Sequence, residues 1–223
     1  VPVDVPAPTK VLTLVFLAWG VGTVVLASWT RLWDEIHAGH FKVIWLVATG
    51  LTLASGFGHP PAWILTALCI AAYASIYASR DREVGAVTAV ASLVILGLGQ
   101  SAYGYAIAAL MGTVTNAMLL GHWHLNQPRL GTKPIARLVW SLVGGLIVFA
   151  TATALLALGS ASVRLLGAVT AVAFTLFAGV LTAMVFHLVR TRSIMSATGI
   201  LYLEILLCFV AAFTGSVAAL APV

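Results

Sequence analysis

Long apolar segments alternate with short polar ones along the chain, and each apolar segment has about the length of a membrane-crossing helix. A hydrocarbon core about 30 Å thick needs roughly 20 helical residues, and breaks rich in charge, Gly or Pro divide the chain into eight such runs. The runs cover residues 11–30, 40–57, 62–79, 84–101, 104–125, 137–158, 162–189 and 194–216. The weakest break is GQSAYGY, residues 99–105, which carries no charge and is typical of a tight turn. We therefore predict eight transmembrane spans.

The composition of these runs predicts helices rather than strands. In lipid the backbone must satisfy its own hydrogen bonds, which leaves helical bundles and closed barrels. The runs are continuous and rich in Ala, Leu and Val, without the alternation of period two that barrel strands show. Small residues recur, as in LVGGLIVFATATALLALGSAS, residues 142–162, and allow helices to approach closely. The predicted fold class is an all-α integral membrane protein, with residues 1–223 forming a single helical domain.

The positions of Lys and Arg predict the orientation, because these residues collect in the short cytoplasmic loops of membrane proteins. With eight spans, nine basic residues fall on one side of the membrane: Arg31, Lys42, Arg80, Arg82, Arg129, Lys133, Arg137, Arg190 and Arg192. Only Lys10 and Arg164 fall on the other side. We therefore expect both termini outside, the basic loops in the cytoplasm, and a location in the plasma membrane or the inner membrane of a cell.

The overall composition excludes several classes of protein. Of 223 residues, 61% are hydrophobic and only 8% are charged, and the mean hydropathy is +1.09, which is far from the composition of a soluble protein. The net charge of +5 is spread between apolar runs without a basic, aromatic-rich stripe, so nucleic-acid binding is not expected. Cys69 and Cys208 lie inside apolar runs, and no C-x-x-C-H motif for covalent haem attachment is present.

Five of the six histidines are predicted to lie at the cytoplasmic end of the spans: His37, His40, His122, His124 and His187. They come from three different spans, and only His59 is predicted on the outer side. On the fifth span, His122 shares a helical stripe with Thr115, whereas His124 lies on the side of Asn116. We expect His122 to point into the bundle, because it lies deeper than His124.

One carboxylic acid is predicted inside the hydrocarbon region. Glu204, in SATGILYLEILL, lies well within the last span, where an ionisable group is costly and marks a functional site or a partner. Asn116 lies near the middle of the fifth span, and Asp34 and Glu35 place acids near the level of the histidines.

Histidines from several helices at one depth are typical of haem or metal ligation. His40, His122 and His187 are the predicted metal ligands, with His124 and Asn116 as further candidate cofactor-binding residues. Arg190 and Arg192 are positioned to pair with haem propionates.

The same cluster, together with Tyr202 and Trp123, also suits the carbonyl oxygens of a quinone. Glu204 would then relay the protons that quinone reduction requires, which makes Glu204 and Tyr202 the candidate catalytic residues.

Each of these residues also has a structural interpretation. Histidines at helix C-termini are favoured by the helix dipole and by lipid headgroups, and Glu204 can simply hydrogen-bond a neighbouring helix. The interfacial tryptophans Trp33, Trp45, Trp123 and Trp140 match an aromatic belt.

Three functions therefore remain open. The first is a membrane electron-transfer subunit of an oxidoreductase that binds b-type haem, quinone or both near the cytoplasmic leaflet, in a complex with other subunits. The second is a metal- or proton-coupled transporter, or an intramembrane metalloenzyme, that uses the same histidines and Glu204. Visible internal repeats, which are common in transporters, are absent from the sequence, and so are HExxH and GxSxG. The third is a non-catalytic anchor or assembly subunit.

Overall fold

The computed structural model describes residues 7–98, 102–124, 126–127, 130–158 and 162–221, and its regular structure is helical throughout those ranges. The helices are α1 (Pro8–Thr30), α2 (Ala38–Gly56), α3 (Ala62–Ser75), α4 (Asp81–Gly97), α5 (Tyr103–Trp123), α6 (Lys133–Ala157), α7 (Ser162–Arg190) and α8 (Ile194–Leu220). A short 3₁₀ turn, Ile76–Ala78, continues α3. Each predicted apolar run corresponds to one of these helices. Residues 99–101 of the predicted turn between α4 and α5 lie outside the described residues.

Five of the described helices are long and apolar enough to cross a membrane. They are Pro8–Thr30, Tyr103–Trp123, Lys133–Ala157, Arg164–Arg190 and Ile194–Leu220. The segment Ala62–Ala78 is apolar but shorter. The chain therefore has the composition and helix lengths of a membrane protein.

The bundle consists of two groups of four helices that meet at α1 and α5. In the first group α1 contacts α2 and α4, which both contact α3. In the second group α5 contacts α6 and α8, which both contact α7. In the most apolar 18 residues of α5, 78% are buried inside the bundle, whereas the corresponding share for α7 is 28%. Helix α5 thus lies at the centre of the bundle, and α7 presents most of its surface outward.

Glycines allow α1 and α5 to pack with their backbones in contact. A Cβ atom added to Gly22 would overlap the carbonyl of Ala108, and one added to Gly112 would overlap the backbone of Gly22. Small residues let helices approach closely in lipid, where the hydrophobic effect does not drive helices together and packing contacts do. The α1–α5 crossing therefore holds the two groups of helices together.

Three ion pairs gather one set of helix ends, which we call the basic end. The pairs are Arg31 with Asp81, Arg82 with Asp34, and Arg137 with Glu35 (Nη1–Oε2 3.5 Å). They join the end of α1, the following loop, and the starts of α4 and α6. The ends of α5 and α7 and the starts of α2 and α8 must lie at this same end, because successive helices run in opposite directions.

Candidate functional site

His40 is the one predicted histidine ligand that the structure buries, with 1% of its surface exposed. It lies in the first turn of α2, which begins where His37 Nδ1 accepts a hydrogen bond from the Gly39 N–H (3.1 Å). Its ring lies 5.9 Å from the centroid of Trp123, and its Nδ1 has no hydrogen-bond partner among the described residues.

His124 ends α5 and faces the basic end of the bundle. Its Nδ1 lies 3.2 Å from the Leu120 carbonyl oxygen and its Nε2 lies 3.3 Å from the Gly131 carbonyl oxygen. The ring therefore connects the last turn of α5 to the loop that precedes α6, which is a structural role at this position.

His122 is exposed and points away from the bundle interior, so the expectation that His122 faces inward is wrong. Its Nδ1 lies 3.2 Å from the hydroxyl of Tyr202 on α8, and Tyr202 is 45% exposed. This imidazole–phenol pair links α5 to α8 on their outer surface, so Tyr202 contacts His122 rather than a buried ligand.

His187 is exposed on the last turn of α7, and the structure records no ring contact or hydrogen bond between it and another described histidine. Arg190 is also exposed, and its guanidinium lies over the ring of Phe186 at 4.8 Å. Arg192, in the turn between α7 and α8, lines a cavity at the basic end. The two arginines therefore lie in different surroundings, Arg190 against Phe186 and Arg192 at the cavity, and do not meet at one site.

The structure does not bring His40, His122 and His187 together, although His124 lies close enough to His40 for the two rings to interact electrostatically. His40 is buried beside Trp123, His122 contacts Tyr202, and His187 is exposed on α7. Within the described ranges no three His, Cys, Asp or Glu side chains are grouped so that they could hold a metal ion. The expectation of a common His40–His122–His187 site is corrected accordingly, because these rings leave their helices in different directions.

Asn116 is fully buried at the α1–α5 crossing. Its Nδ2 donates to the carbonyl oxygens of Gly112 (2.9 Å) and Thr23 (3.3 Å). Next to it, Trp19 Nε1 of α1 donates to Thr115 Oγ1 of α5 (2.7 Å). The bonds from Asn116 to Thr23 and from Trp19 to Thr115 cross between the two central helices, so Asn116 connects helices here.

Glu204 of α8 is fully buried and faces α7. Thr182 Oγ1 of α7 is hydrogen-bonded to Glu204 Oε1, while Glu204 Oε2 has no partner within the described part of the chain. None of the ion pairs of the described residues includes this carboxyl group. A buried carboxylate without a cation is costly.

The number of hydrogen atoms available for hydrogen bonds at this site distinguishes the carboxylate form of Glu204 from the neutral acid. Thr182 Oγ1 lies 3.1 Å from the Ala178 carbonyl oxygen as well as next to Glu204 Oε1. A hydroxyl group has a single hydrogen to donate. Both contacts are satisfied together when Glu204 is the neutral acid and donates to Thr182, which in turn donates to Ala178.

Thr182 also lines an apolar cleft between α6 and α7, with a volume of about 420 Å³. The lining residues are Trp140, Val143, Leu146, Ile147, Ala150, Thr175, Leu176, Gly179, Thr182, Ala183 and Phe186. Trp140 and Phe186 form an edge-to-face pair, with ring centroids 5.2 Å apart. The exposed Trp140 and Leu176 place the cleft on the outer surface of the bundle, open to lipid. Its hydroxyl groups are those of Thr175 and Thr182.

Thr182 and the cleft are absent from the predictions made from the sequence alone. The signal was a stripe of small and hydroxyl side chains on α7, comprising Ala171, Thr175, Ala178 and Thr182, all of which are buried. Their helical spacing places them on one face. That this face meets α8 at Glu204 depends on the packing of the two helices. No protein-family model, curated protein or solved structure matches the chain.

Proposed function

We propose that the protein is the membrane subunit of an electron-transfer system and that it binds a quinone in the α6–α7 cleft. The observation that carries this proposal is the double role of Thr182, which lines the cleft and hydrogen-bonds the buried Glu204. Small-molecule sites are largely apolar, with a few polar groups that fix the orientation of the ligand. A quinone has this chemistry, because an apolar ring and tail carry carbonyl oxygens that accept hydrogen bonds.

Each residue of the cleft would have a separate role in binding or reducing the quinone. Trp140 and Phe186 would contact the ring or the tail, and on binding the Thr182 hydroxyl would turn its one hydrogen from the Ala178 carbonyl oxygen to a quinone carbonyl oxygen. Reduction of a quinone takes up protons together with electrons. The neutral Glu204 would supply a proton through Thr182, and partner subunits with redox centres would supply the electrons.

Haem is a separate part of the electron-transfer proposal. Axial ligation by two histidines needs imidazoles that face one another, whereas His40 packs against Trp123, His122 contacts Tyr202, and His187 is exposed on α7. The cleft proposal therefore assigns no haem ligand to them. A visible spectrum of the purified protein, oxidised and reduced, tests for haem directly, since bound haem gives a strong Soret band.

The membrane topology is proposed with the function. All eight helices would cross the bilayer of a plasma or inner membrane, with the basic end in the cytoplasm. The ion pairs that gather the basic residues at one end support this orientation. Labelling of single cysteines placed at residues 84 and 158 with a membrane-impermeant reagent tests it, because only position 158 should react in intact cells.

Quinone binding is tested on the full chain in detergent, with a short-chain ubiquinone and a short-chain menaquinone as probes. Thr182→Val removes the hydroxyl group and keeps the shape, and we expect it to weaken binding about tenfold. Gly179→Leu introduces a side chain into the cleft, where a Cβ meets no atom within 4 Å, and should abolish binding without unfolding the protein.

Two matched variants control for these changes. Thr170→Val removes a hydroxyl that donates to Leu166 within α7 (2.8 Å), and Gly144→Leu adds a side chain at another open glycine, on α6. Neither residue lines the cleft, so both variants should bind as the parent does. The proposal fails if neither quinone binds, or if Thr170→Val and Thr182→Val weaken binding equally.

A proton-coupled transporter is the second candidate, and the buried Glu204 with its unpartnered Oε2 favours it. Proton uptake into vesicles containing the protein, driven by an imposed pH gradient and lost in Glu204→Gln, would support transport. Absence of both quinone binding and proton movement, with larger subunits copurifying, would instead support a non-catalytic anchor.

A further inference from the structure

A second cavity, of about 710 Å³, opens at the basic end of the bundle and is separate from the α6–α7 cleft. Its polar lining comes from the loop after α1, the end of α5, the start of α6 and the turn between α7 and α8. The polar side chains are Glu35, His124, Gln127, Thr132, Lys133 and Arg192. The cavity thus joins four parts of the chain that are far apart in sequence.

The charges around this cavity are not balanced. Glu35 is paired with Arg137, at 3.5 Å. Lys133 and Arg192 have no acidic partner among the residues that the structure describes. The cavity therefore has an excess of positive charge.

The backbone at the start of α6 adds to this positive potential. Lys133 is the first residue of this 25-residue helix, and the Thr132 side chain caps none of the N–H groups of the first turn, to which Pro134 contributes none. Free N–H groups and the helix dipole together favour an anion at a helix N-terminus. The lining residues Thr132, Lys133 and Pro134 place this terminus at the cavity wall.

Arg192 occupies a backbone conformation that usually belongs to glycine. Its φ is 60°, in the left-handed region, two residues after the end of α7, and its N–H donates to the Val189 carbonyl oxygen (3.2 Å). Glycine adopts this conformation at helix ends without steric cost. Arginine at this position places a guanidinium at the cavity at the expense of backbone strain.

We propose that this cavity binds a phosphate group. Its tetrahedral oxygens would accept hydrogen bonds from the Arg192 guanidinium, the Lys133 ammonium and the free N–H groups of α6. The group can belong to an anionic phospholipid headgroup or to a soluble phosphorylated molecule, since both present the same oxygens. This site is independent of the quinone proposal, because it shares no lining residue with the α6–α7 cleft.

The test uses the full chain, delipidated in a neutral detergent, and measures binding by the shift of its thermal unfolding midpoint. One arm titrates inorganic phosphate against chloride at equal ionic strength. The other arm compares mixed micelles containing phosphatidylglycerol with micelles containing phosphatidylcholine. Saturable stabilisation by phosphate alone identifies a soluble ligand, by phosphatidylglycerol alone a lipid headgroup, and by both the shared phosphate chemistry.

Three variants connect the binding to the cavity. Arg192→Gly removes the guanidinium and relieves the backbone, and Lys133→Gln removes the ammonium, so each should weaken binding about tenfold. Arg190→Gln removes the same charge from a neighbouring arginine that does not line the cavity, and should change the affinity less than about twofold. The proposal is overturned if neither arm gives saturable binding, or if Arg190→Gln weakens binding as much as Arg192→Gly does.

Discussion

The contact between Thr182 and Glu204 leads to a quantitative prediction about stability, because it is buried and isolated. Thr182→Val removes the hydroxyl group while keeping the shape of the side chain. It leaves Glu204 Oε1 without a partner, next to an Oε2 that already has none. Glu204→Met removes the carboxyl and keeps an unbranched chain of similar length. Thr182 then still donates to the Ala178 carbonyl oxygen, at 3.1 Å.

The expected loss of stability follows from the difference between these two variants. Thr182→Val leaves a buried carboxyl oxygen without a partner, whereas Glu204→Met leaves Thr182 bonded to Ala178. A buried polar group that loses its partner costs about 1–3 kcal/mol, and measured interhelical hydrogen bonds in membranes average about 0.6 kcal/mol and reach about 1.7 kcal/mol. Thr182 is 2% exposed and Glu204 is 0% exposed, so we expect the upper part of that range, about 1–2 kcal/mol, for Thr182→Val. In a Glu204→Met background the same change should cost about 0.5 kcal/mol or less.

The assay is equilibrium unfolding in mixed micelles, followed by circular dichroism, for the parent, both single variants and the double variant. The double variant should be more stable than the sum of the single effects predicts, by about 1 kcal/mol. A second cycle that combines Thr170→Val with Glu204→Met should be additive, because Thr170 bonds only within its own helix. Additivity of the Thr182–Glu204 cycle within about 0.3 kcal/mol would refute the contact.

Three further predictions concern other parts of the bundle. Gly112→Ala should destabilise the protein by about 3 kcal/mol or more, because the new Cβ overlaps the α1 backbone; Gly144→Ala, at an open helical position, should stabilise it by about 0.5–1 kcal/mol. Arg192→Gly should raise the free energy of unfolding by about 1 kcal/mol without ligand, since it relieves a positive φ. Asp81→Asn removes the carboxylate that pairs with Arg31 and is only 5% exposed, and should lower the free energy of unfolding by about 3 kcal/mol. Equilibrium unfolding measures all of these, and equal effects of the two glycine variants would contradict the packing of α1 against α5.

The apolar runs predicted every described helix, because a chain in lipid must satisfy its backbone hydrogen bonds within each segment. Several predicted bounds were wrong by three or four residues, at both ends of the bundle. Helix α6 begins at Lys133 rather than at residue 137, and α4 begins at Asp81 rather than at residue 84. Polar residues near the membrane surface can continue a helix beyond its apolar part, so hydropathy does not locate the ends.

The candidate site was predicted less well, and the reason lies in helix rotation. Spacing along α5 separates His122 from His124 onto different faces, but it does not say which face is buried. The position of α8 decides this, because Tyr202 meets His122 on the outer surface while His124 bonds the loop before α6. A shared depth in the membrane therefore did not mean a shared site.

The sequence by itself determined that this is a chain of apolar helices with its basic residues concentrated in alternate loops and with one carboxylic acid inside an apolar run. These properties depend on local composition and on the cost of exposing polar groups to lipid, which act on each segment separately. Only the tertiary structure decided that Glu204 meets Thr182 beside an apolar cleft, and that Lys133 and Arg192 line one cavity. Such meetings depend on how each helix is rotated against its neighbours, which is set by the packing of small residues across the whole bundle.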